Sequence, residues 1–309
     1  MQTGIPVWYF QKWKSKDCSE INSDERDKNM REVNVKDVAD AVRDMCIQIN
    51  YELSDDVKTA LLGGSDTETD PLGRQILDIL QENLEIAKND RIPICQDTGM
   101  AVVFLDVGQD VHFTGGNIED AVNDGVARGY TEGYLRKSVV ADPLERVNTK
   151  DNTPAVIHYS IVPGEEVKIT LAPKGFGSEN MSKVYMLKPA DGENGVLDAI
   201  VSAVKDAGPN ACPPVFVGAG VGGTFEKCAL LSKRALARPA GSSNPDPHIA
   251  RLERKALEEI NKLGIGPAGL GGNVTALSVN IETYPTHIAG LPVAVNICCH
   301  VNRHISRVI

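Results

Sequence analysis

Ile92–Gly99 reads Ile-Pro-Ile-Cys-Gln-Asp-Thr-Gly and brings a thiol, an amide, a carboxylate and a hydroxyl together in four consecutive residues. A helix-like segment, Leu72–Lys88, precedes this stretch, and an apolar run, Ala101–Val107, follows it. Polar side chains in a turn bounded by proline and glycine, between two core elements, favour a functional site. An ordinary turn with a buried Cys95 is the competing interpretation, and the rest of the chain has to decide between the two.

Composition limits the possible functions. The chain has 309 residues, of which 42% are apolar and 24% charged, as expected for a soluble globular protein. A net charge of −10 without a run of lysine or arginine argues against nucleic acid or anionic membrane as a partner. No apolar stretch approaches the ~20 residues of a membrane helix. Seven scattered cysteines, an odd number, predict a reducing, cytoplasmic compartment in which thiols are core filler or metal ligands.

The sequence pattern predicts a short extension followed by one large domain. Residues 1–29 lack the apolar core of a signal peptide, and we expect a poorly ordered extension there. Residues 30–309 carry the periodic patterns. Helical periodicity predicts helices at 34–50, 54–62, 71–88, 117–133, 196–207 and 249–263. Apolar or alternating runs predict strands at 101–107, 155–162, 167–171, 214–217, 277–281 and 293–297, with the second and third forming a hairpin. The pattern predicts an α/β or α+β fold, with mixed sheets surrounded by helices.

Two glycine-bearing segments suggest anion binding. Lys174–Asn180, Lys-Gly-Phe-Gly-Ser-Glu-Asn, combines close backbone approach with polar side chains, which favours a binding loop over a plain turn. Gly218–Thr224 contains G-x-G-x-x-G, but a loop occupies the region where a dinucleotide site needs an acidic strand end. A glycine-rich helix N-terminus that receives a small carboxylate fits better.

Three cysteines lie on stiff turns bounded by glycine or proline: Cys95, Cys212 before two prolines, and Cys299 after an apolar strand. None belongs to a C-x-x-C pair, whereas a zinc site normally shows a close pair and four ligands. Three isolated thiolates suit an iron–sulfur cluster with one open iron that acts as a Lewis acid.

Several motifs together resemble class I fumarate hydratase, specifically the alpha subunit of the two-chain form. They are Pro-Ile-Cys-Gln-Asp-Thr-Gly at 93–99, Lys-Gly-Phe-Gly-Ser-Glu-Asn at 174–180, Asn-Ala-Cys-Pro-Pro at 210–214, Gly-Ile-Gly-Pro at 264–267 and Val-Asn-Ile-Cys-Cys-His at 295–300. The resemblance runs from about Met30 to the C-terminus. It implies that residues 30–309 form the cluster-binding, N-terminal-type domain of class I fumarases.

The resemblance also implies a cofactor and site residues. Cys95, Cys212 and Cys299 match the family's ligands of a 4Fe–4S cluster, whose fourth iron binds substrate. Substrate contacts match Gln96, Asp97, Arg136, His287 and, near the glycine loop, Gly177. Many relatives have a different residue at the position of Cys298, so the third ligand is open between Cys298 and Cys299. Asp97 is open between a proton-transfer role and a hydrogen-bond anchor.

The implied reaction is the reversible hydration of fumarate to L-malate. A beta partner chain would supply the second half of the active site for this small dicarboxylate, in a hetero-oligomer of two alpha and two beta chains. L-tartrate dehydratase and mesaconate hydratase alpha subunits share the framework, although the Lys174–Asn180 loop looks more like the fumarase version. A nucleotide-binding dehydrogenase and a non-catalytic cluster-binding sensor are hypotheses from other classes.

Overall fold

Helices and strands alternate along residues 30–309, the part of the chain that this computed structural model describes; the predicted extension over residues 1–29 lies outside it. The helices are α1 (Val35–Tyr51), α2 (Asp55–Thr67), α3 (Pro71–Asp90), α4 (Ile118–Glu132), α5 (Phe176–Glu179), α6 (Gly192–Ala207), α7 (Phe225–Leu236) and α8 (Pro247–Asn261). The strands are β1 (Arg31–Asn34), β2 (Met100–Gly108), β3 (Val111–Thr114), β4 (Val156–Val162), β5 (Val167–Lys174), β6 (Lys183–Leu187), β7 (Val215–Gly222), β8 (Ala276–Tyr284), β9 (Leu291–Cys298) and β10 (Ile305–Val308). The predicted mixture of sheets and surrounding helices is confirmed.

Short polar side chains cap the first turns of α1, α3 and α4. The side chains of Asn34, Asp70 and Asn117 accept backbone N–H groups in the first turns of α1, α3 and α4. These bonds satisfy donors that have no partner within the helix. The predicted starts of these helices therefore agree with the structure to within a residue.

The helix predicted at 54–62 continues through Gly63 and Gly64 to Thr67. A Cβ at Gly64 would lie 2.9 Å from the Leu277 side chain, so this glycine allows α2 to pack closely on β8. The predicted end of this helix at residue 62 is therefore wrong, because the glycines that follow serve tertiary packing and do not end the helix.

The first sheet has the order β10-β5-β2-β4. Strand β2 pairs in parallel with β4 (Val102↔Val156) and antiparallel with β5 (Val103↔Leu171). The predicted hairpin of residues 155–162 with 167–171 is therefore wrong, because β2 lies between the two strands. Residues 101–105 are buried on both faces, as suits a central strand, whereas β4 alternates like an edge strand.

The second sheet has the order β6-β9-β7-β8, with β7 parallel to β8 and antiparallel to β9. Gly218 and Gly220 lie inside β7, and a Cβ at Gly220 would lie 2.0 Å from the carbonyl oxygen of Cys228. These two glycines bring α7 close to the sheet. They do not form an anion-binding turn, which corrects the interpretation of this segment.

Helix α7 lies between the two sheets. On one side the guanidinium of Arg234 contacts the Phe104 ring and pairs with Asp106 of β2. On the other side α7 packs against Gly218 and Gly220 of β7. The outer faces are covered by α1 and α4 on the first sheet and by α6 and α8 on the second, each over a buried apolar cluster.

The helices can be compared with the length and apolar character of a membrane-spanning helix. Among the helices of residues 30–309, none combines the length and the apolar character needed to cross a bilayer.

Candidate functional site

The Ile92–Gly99 stretch connects α3 to β2, and its backbone is fixed at Ile94. The Ile94 N–H donates to the carbonyl oxygen of Asn50 at 2.9 Å, and the Ile94 carbonyl accepts from Nδ2 of Asn83 at 3.0 Å. The Ile94 side chain is buried. Cys95 follows directly, so α1 and α3 together hold the segment that presents its thiol.

Buried polar side chains hold the end of the stretch. The Tyr130 hydroxyl lies 2.8 Å from the carbonyl oxygen of Thr98 and 2.9 Å from that of Gly99. Nδ2 of Asn152 donates to the same Gly99 oxygen at 3.1 Å. Gly99 has φ +79°, and a Cβ there would lie 2.7 Å from the backbone nitrogen of Lys174. Both facts require glycine at this position.

Asp97 connects this stretch to the Lys174–Asn180 motif. Its Oδ1 accepts the Gly99 N–H at 3.0 Å, and its Oδ2 accepts the Phe176 N–H at 2.9 Å. Each carboxylate oxygen therefore has one backbone donor and keeps further acceptor capacity. The geometry fixes the orientation of the carboxylate and leaves it able to bind another hydroxyl or hold a proton.

The ammonium group of Lys174 is engaged within its own motif. It donates to the Gly175 carbonyl at 3.1 Å and to Oγ of Ser178 at 2.9 Å, and it lies 3.3 Å from Oε2 of Glu179. Lys174 is 5% exposed, so its role is to shape the loop rather than to meet an anion in solvent. Gly177 is exposed, as are Phe176 and Asn180, and no atom lies within 4 Å of its Cβ position.

Cys212 lies on a tight turn directly before β7. Its backbone is left-handed (φ 53°, ψ 64°), a tighter turn than the extended conformation expected beside two prolines. Its N–H donates to the Pro209 carbonyl at 3.0 Å, and its own carbonyl oxygen lies 3.2 Å from Nδ1 of His300. The side chain of Cys212 is exposed, so the thiol is available from outside.

The three predicted cysteine ligands lie around one edge of the second sheet. The pairing of Phe216 with Cys298 sets the start of β7 beside the end of β9, so Cys212 and Cys299 share that edge. Ile94, next to Cys95, packs in one apolar cluster with Phe216 and Cys298. Burial, and secondarily the neighbouring Cys95 thiol, raises the pKa of Cys212.

Cys298 and Cys299 differ in environment. Cys298 is 2% exposed inside the core, whereas Cys299 is only partly buried. The two adjacent thiols influence each other, which lowers the pKa of Cys298 and raises the pKa of Cys299. The positive charges of Lys174, Arg303 and Lys233 also favour the Cys298 thiolate. Only Cys299 of this pair is open towards the surface.

The three cysteines can be compared with the ligands that hold metal ions and metal clusters. Within residues 30–309, no three His, Cys, Asp or Glu side chains are close enough to hold one metal ion. Three cysteines from separate turns match the thiolate ligands that hold an iron–sulfur cluster, which is larger than one ion. The buried Arg303 guanidinium, whose Nε has no hydrogen-bond partner, supplies positive charge beside them. These residues fit an anionic cluster.

The remaining predicted site residues divide between two locations. Gln96 and Arg136 are both exposed. Gln96 precedes Asp97 in the chain, and Arg136 is held near Asp97 because its N–H donates to Oγ1 of Thr98 at 2.9 Å. His287 is exposed beyond the end of β8, three residues after Tyr284. Since β8 runs parallel to β7, His287 is separated from the Cys212 edge by the length of the strand, about 30 Å. One copy of the chain does not bring His287 to the cysteines.

Sequence reasoning missed the buried polar residues that hold the site loop, which are Asn50, Tyr130, Asn152 and Arg303. Each donates or accepts a hydrogen bond with residues 94–99 or with another member of the group. Their only sequence signal is a polar residue in an apolar context, for example Asn50 at the end of the α1 stripe. That signal does not identify a partner.

Comparison with known proteins gives consistent matches. The model of the fumarate hydratase (Fumerase) family matches residues 39–308. A putative L(+)-tartrate dehydratase subunit alpha of Methanocaldococcus jannaschii is 39% identical over 272 residues, covering 86% of this chain and 95% of the relative. The L(+)-tartrate dehydratase subunit alpha of Escherichia coli strain K12 is 32% identical over 275 residues, covering 87% and 89%. The protein of that name in Shigella boydii serotype 4 is also 32% identical over 275 residues.

Proposed function

Because the chain belongs to the fumarate hydratase family, a family of hydro-lyases, we propose that it is the alpha subunit of an iron–sulfur enzyme that reversibly hydrates fumarate to L-malate. The meeting of Cys95, Cys212 and Cys299 at one sheet edge, beside Gln96 and Asp97, carries this proposal. These three cysteines would hold a 4Fe–4S cluster, with Cys299 rather than the core residue Cys298 as the third ligand.

The residues of this chain would bind and orient the substrate. When bound, the cluster would supply a Lewis-acidic iron that polarises the substrate carboxylate and hydroxyl. Asp97, held by two backbone N–H groups, would accept the substrate hydroxyl or its proton at a fixed carboxylate oxygen. The exposed Arg136 would pair with a substrate carboxylate, with Gln96 and the open surface at Gly177 completing the contacts.

Dehydration of L-tartrate is the second candidate reaction, favoured by the names of the relatives. Fumarate hydration and tartrate dehydration both require stabilisation of a carboxylate next to the reacting carbon, so the cysteines and Asp97 serve either reaction. The Lys174–Asn180 loop is the basis for preferring fumarate. Mesaconate hydration is a further possibility of the same chemistry.

A beta partner chain is part of the proposal. Cys212, Gln96 and Arg136 are exposed, and a dianion bound there to a single arginine would be poorly neutralised. Large apolar side chains around the site are also exposed, namely Tyr134, Phe176 and Leu270. A covering partner would bury this rim and contribute further cations. The relatives are named as alpha subunits, which is consistent with a complex of two alpha and two beta chains.

His287 is included in the proposed site only with a condition. Since about one strand length separates it from the cysteines of its own chain, its substrate contact would need another subunit of the assembly.

A reducing compartment such as the cytoplasm is also proposed, because the six cysteines of residues 30–309 are free thiols.

The deciding experiment is anaerobic reconstitution with iron and sulfide, with and without the partner chain. Turnover is then measured on fumarate, L-tartrate and mesaconate. We expect cluster absorbance in this chain alone, negligible turnover alone, and fumarate as the substrate of highest kcat/KM in the complex. A higher kcat/KM for L-tartrate would select the second candidate. A bound cluster without turnover in the complex would favour a sensor, and bound nicotinamide would favour a dehydrogenase.

A further inference from the structure

Arg303 is a buried arginine in direct contact with the backbone of the Ile92–Gly99 stretch. Its exposure is 3%. Nη1 donates to Oδ1 of Asn50 at 2.6 Å, and Nη2 donates to the carbonyl oxygen of Asp97 at 2.8 Å. The guanidinium therefore joins the last turn of α1 to the peptide group that carries the Asp97 side chain.

The Asp97 carboxylate is near the Arg303 guanidinium but does not pair with it: the Cβ position of Gly175 is 3.6 Å from Nη2 of Arg303 and 3.1 Å from Oδ2 of Asp97. Among residues 30–309 the guanidinium forms no ion pair, both of its acceptors are neutral amide oxygens, and Nε has no partner. Burial of a cation without an opposite charge is costly unless an anion is brought to it. Arg303 follows Cys299 by four residues and binds the carbonyl oxygen of Asp97, which follows Cys95 by two residues, so its guanidinium lies between the two cysteine-bearing segments.

Two further cations lie in the same region: Lys174, which is buried next to Gly175, and Lys233, which is partly buried. Lys174 and Lys233 share one carboxylate, Glu179. Three cations (Lys174, Lys233 and Arg303) against the carboxylates of Glu179 and Asp97 leave one positive charge in excess. An iron–sulfur cluster bound by thiolates is anionic and would offset it. Arg303 differs from the two lysines because it also holds the backbone of Asp97.

We propose that Arg303 is a positioning residue of the site: its guanidinium fixes the Asp97 carboxylate through the Asp97 carbonyl and supplies buried positive charge that helps to retain an anionic cluster. The second half of this inference rests on the proposed function, whereas the first half concerns the protein alone. Arginine suits both roles because its two Nη groups reach two oxygens in a fixed fork, which lysine does not reproduce.

Three variants compared with wild type separate the charge of Arg303 from its hydrogen-bond geometry. Arg303→Lys keeps the positive charge and loses the two-pronged hydrogen bonding, whereas Arg303→Met loses both. Arg307→Met, on the partly exposed strand β10, is the control. After anaerobic reconstitution, the iron content, the rate of iron loss to a ferrous chelator and the reduction potential are measured. We expect Arg303→Met to lose iron at least about tenfold faster and to show a more negative potential. Arg303→Lys should keep a potential close to wild type, and the control should match wild type.

Hydrogen exchange in the cluster-free chains tests the positioning role. The amides of Gly99 and Phe176 both donate to the Asp97 carboxylate, so they report whether that carboxylate is held. We expect at least about tenfold faster exchange at both amides in Arg303→Lys and Arg303→Met, with unchanged exchange in the control.

The outcomes separate the two claims. Wild-type exchange at both amides in Arg303→Lys would overturn the positioning role, even where Arg303→Met fails to fold. Wild-type iron loss and potential in folded Arg303→Met would overturn the charge role. A wild-type chain that takes up no cluster would refute the proposed function, and the exchange measurement would still decide the role of Arg303 towards Asp97.

Discussion

Replacement of Gly99 by alanine should destabilise the protein more than replacement of any unpacked glycine with a similar backbone. Gly99 has φ +79°, and its Cβ would lie 2.7 Å from the nitrogen and 2.8 Å from the carbonyl carbon of Lys174. Neither backbone atom moves freely, because Met100 pairs with Lys174 in the first sheet. The left-handed backbone costs alanine about 1–2 kcal/mol, and the overlap adds about 1–3 kcal/mol.

Gly241 provides the matched control. Its φ is +76°, but nothing lies within 4 Å of its Cβ position, so Gly241→Ala carries the backbone cost alone. The free energy of unfolding, from urea denaturation followed by far-UV circular dichroism, should fall by about 2–5 kcal/mol in Gly99→Ala. In Gly241→Ala it should fall by about 1–2 kcal/mol. Equal losses in the two variants would refute the close contact between the site loop and Lys174, and with it the requirement for glycine.

Three further predictions follow from the site and its surroundings. Cluster absorbance should be abolished by each of Cys95→Ala, Cys212→Ala and Cys299→Ala, and it should be retained in Cys46→Ala and Cys228→Ala. Loss of the cluster from Cys298→Ala but not from Cys299→Ala would show that the third ligand is misassigned. Air should inactivate the reconstituted complex, and ferrous iron with a thiol reductant should restore activity, because one iron is proposed to lack a protein ligand; full activity after hours in air would contradict an open iron. Burial raises the pKa of Asp56, but hydrogen bonds with His304 and with the Ala240 N–H lower that pKa well below its ordinary value overall. The ionised Asp56 carboxylate therefore stabilises the fold fully above about pH 4, and this contribution is lost progressively as the pH falls below that value. The fall in the urea midpoint on acidification should therefore be smaller in Asp56→Asn than in wild type, and parallel curves would contradict this reasoning.

Local chemistry in the sequence predicted most helices but not strand partners. The α1 stripe and the Asn34 and Asn117 caps are local signals, so the positions of α1 and α4 follow from nearby residues alone. Alternation in residues 155–162 identifies a strand with two different faces, but it does not name the neighbouring strand. Strand β2 enters between β4 and β5 because it is apolar on both faces, and that preference is expressed only when the sheet assembles.

Glycine patterns were ambiguous for a related reason. Glycine lacks a Cβ whether a turn, a ligand or a neighbouring helix needs the space. Gly218 and Gly220 match a phosphate-binding spacing, yet they admit α7 to the surface of β7. Only the position of the neighbouring backbone distinguishes these uses, and the spacing of glycines along the chain does not contain it.

Residues that face the candidate site and residues that hold it differ in how they can be found. Cys95, Gln96 and Asp97 are adjacent in sequence, so one short motif reports them. Asn50 and Arg303 are separated by 253 residues and meet through a single hydrogen bond of 2.6 Å. No local pattern encodes that contact, because it depends on α1 and the segment after β9 reaching the same loop.

The layered arrangement makes the site sensitive to how the two sheets pack. Cys95 is attached to β2 of the first sheet through residues 96–99, whereas Cys212 and Cys299 adjoin β7 and β9 of the second. The sheets are held apart by α7, which pairs with Asp106 on one side and packs on Gly220 on the other. A shift between the sheets would therefore move Cys95 relative to the other two cysteines while leaving each turn intact. The buried contacts of Arg303 oppose that shift, because they join residues that precede β2 to the segment that follows β9.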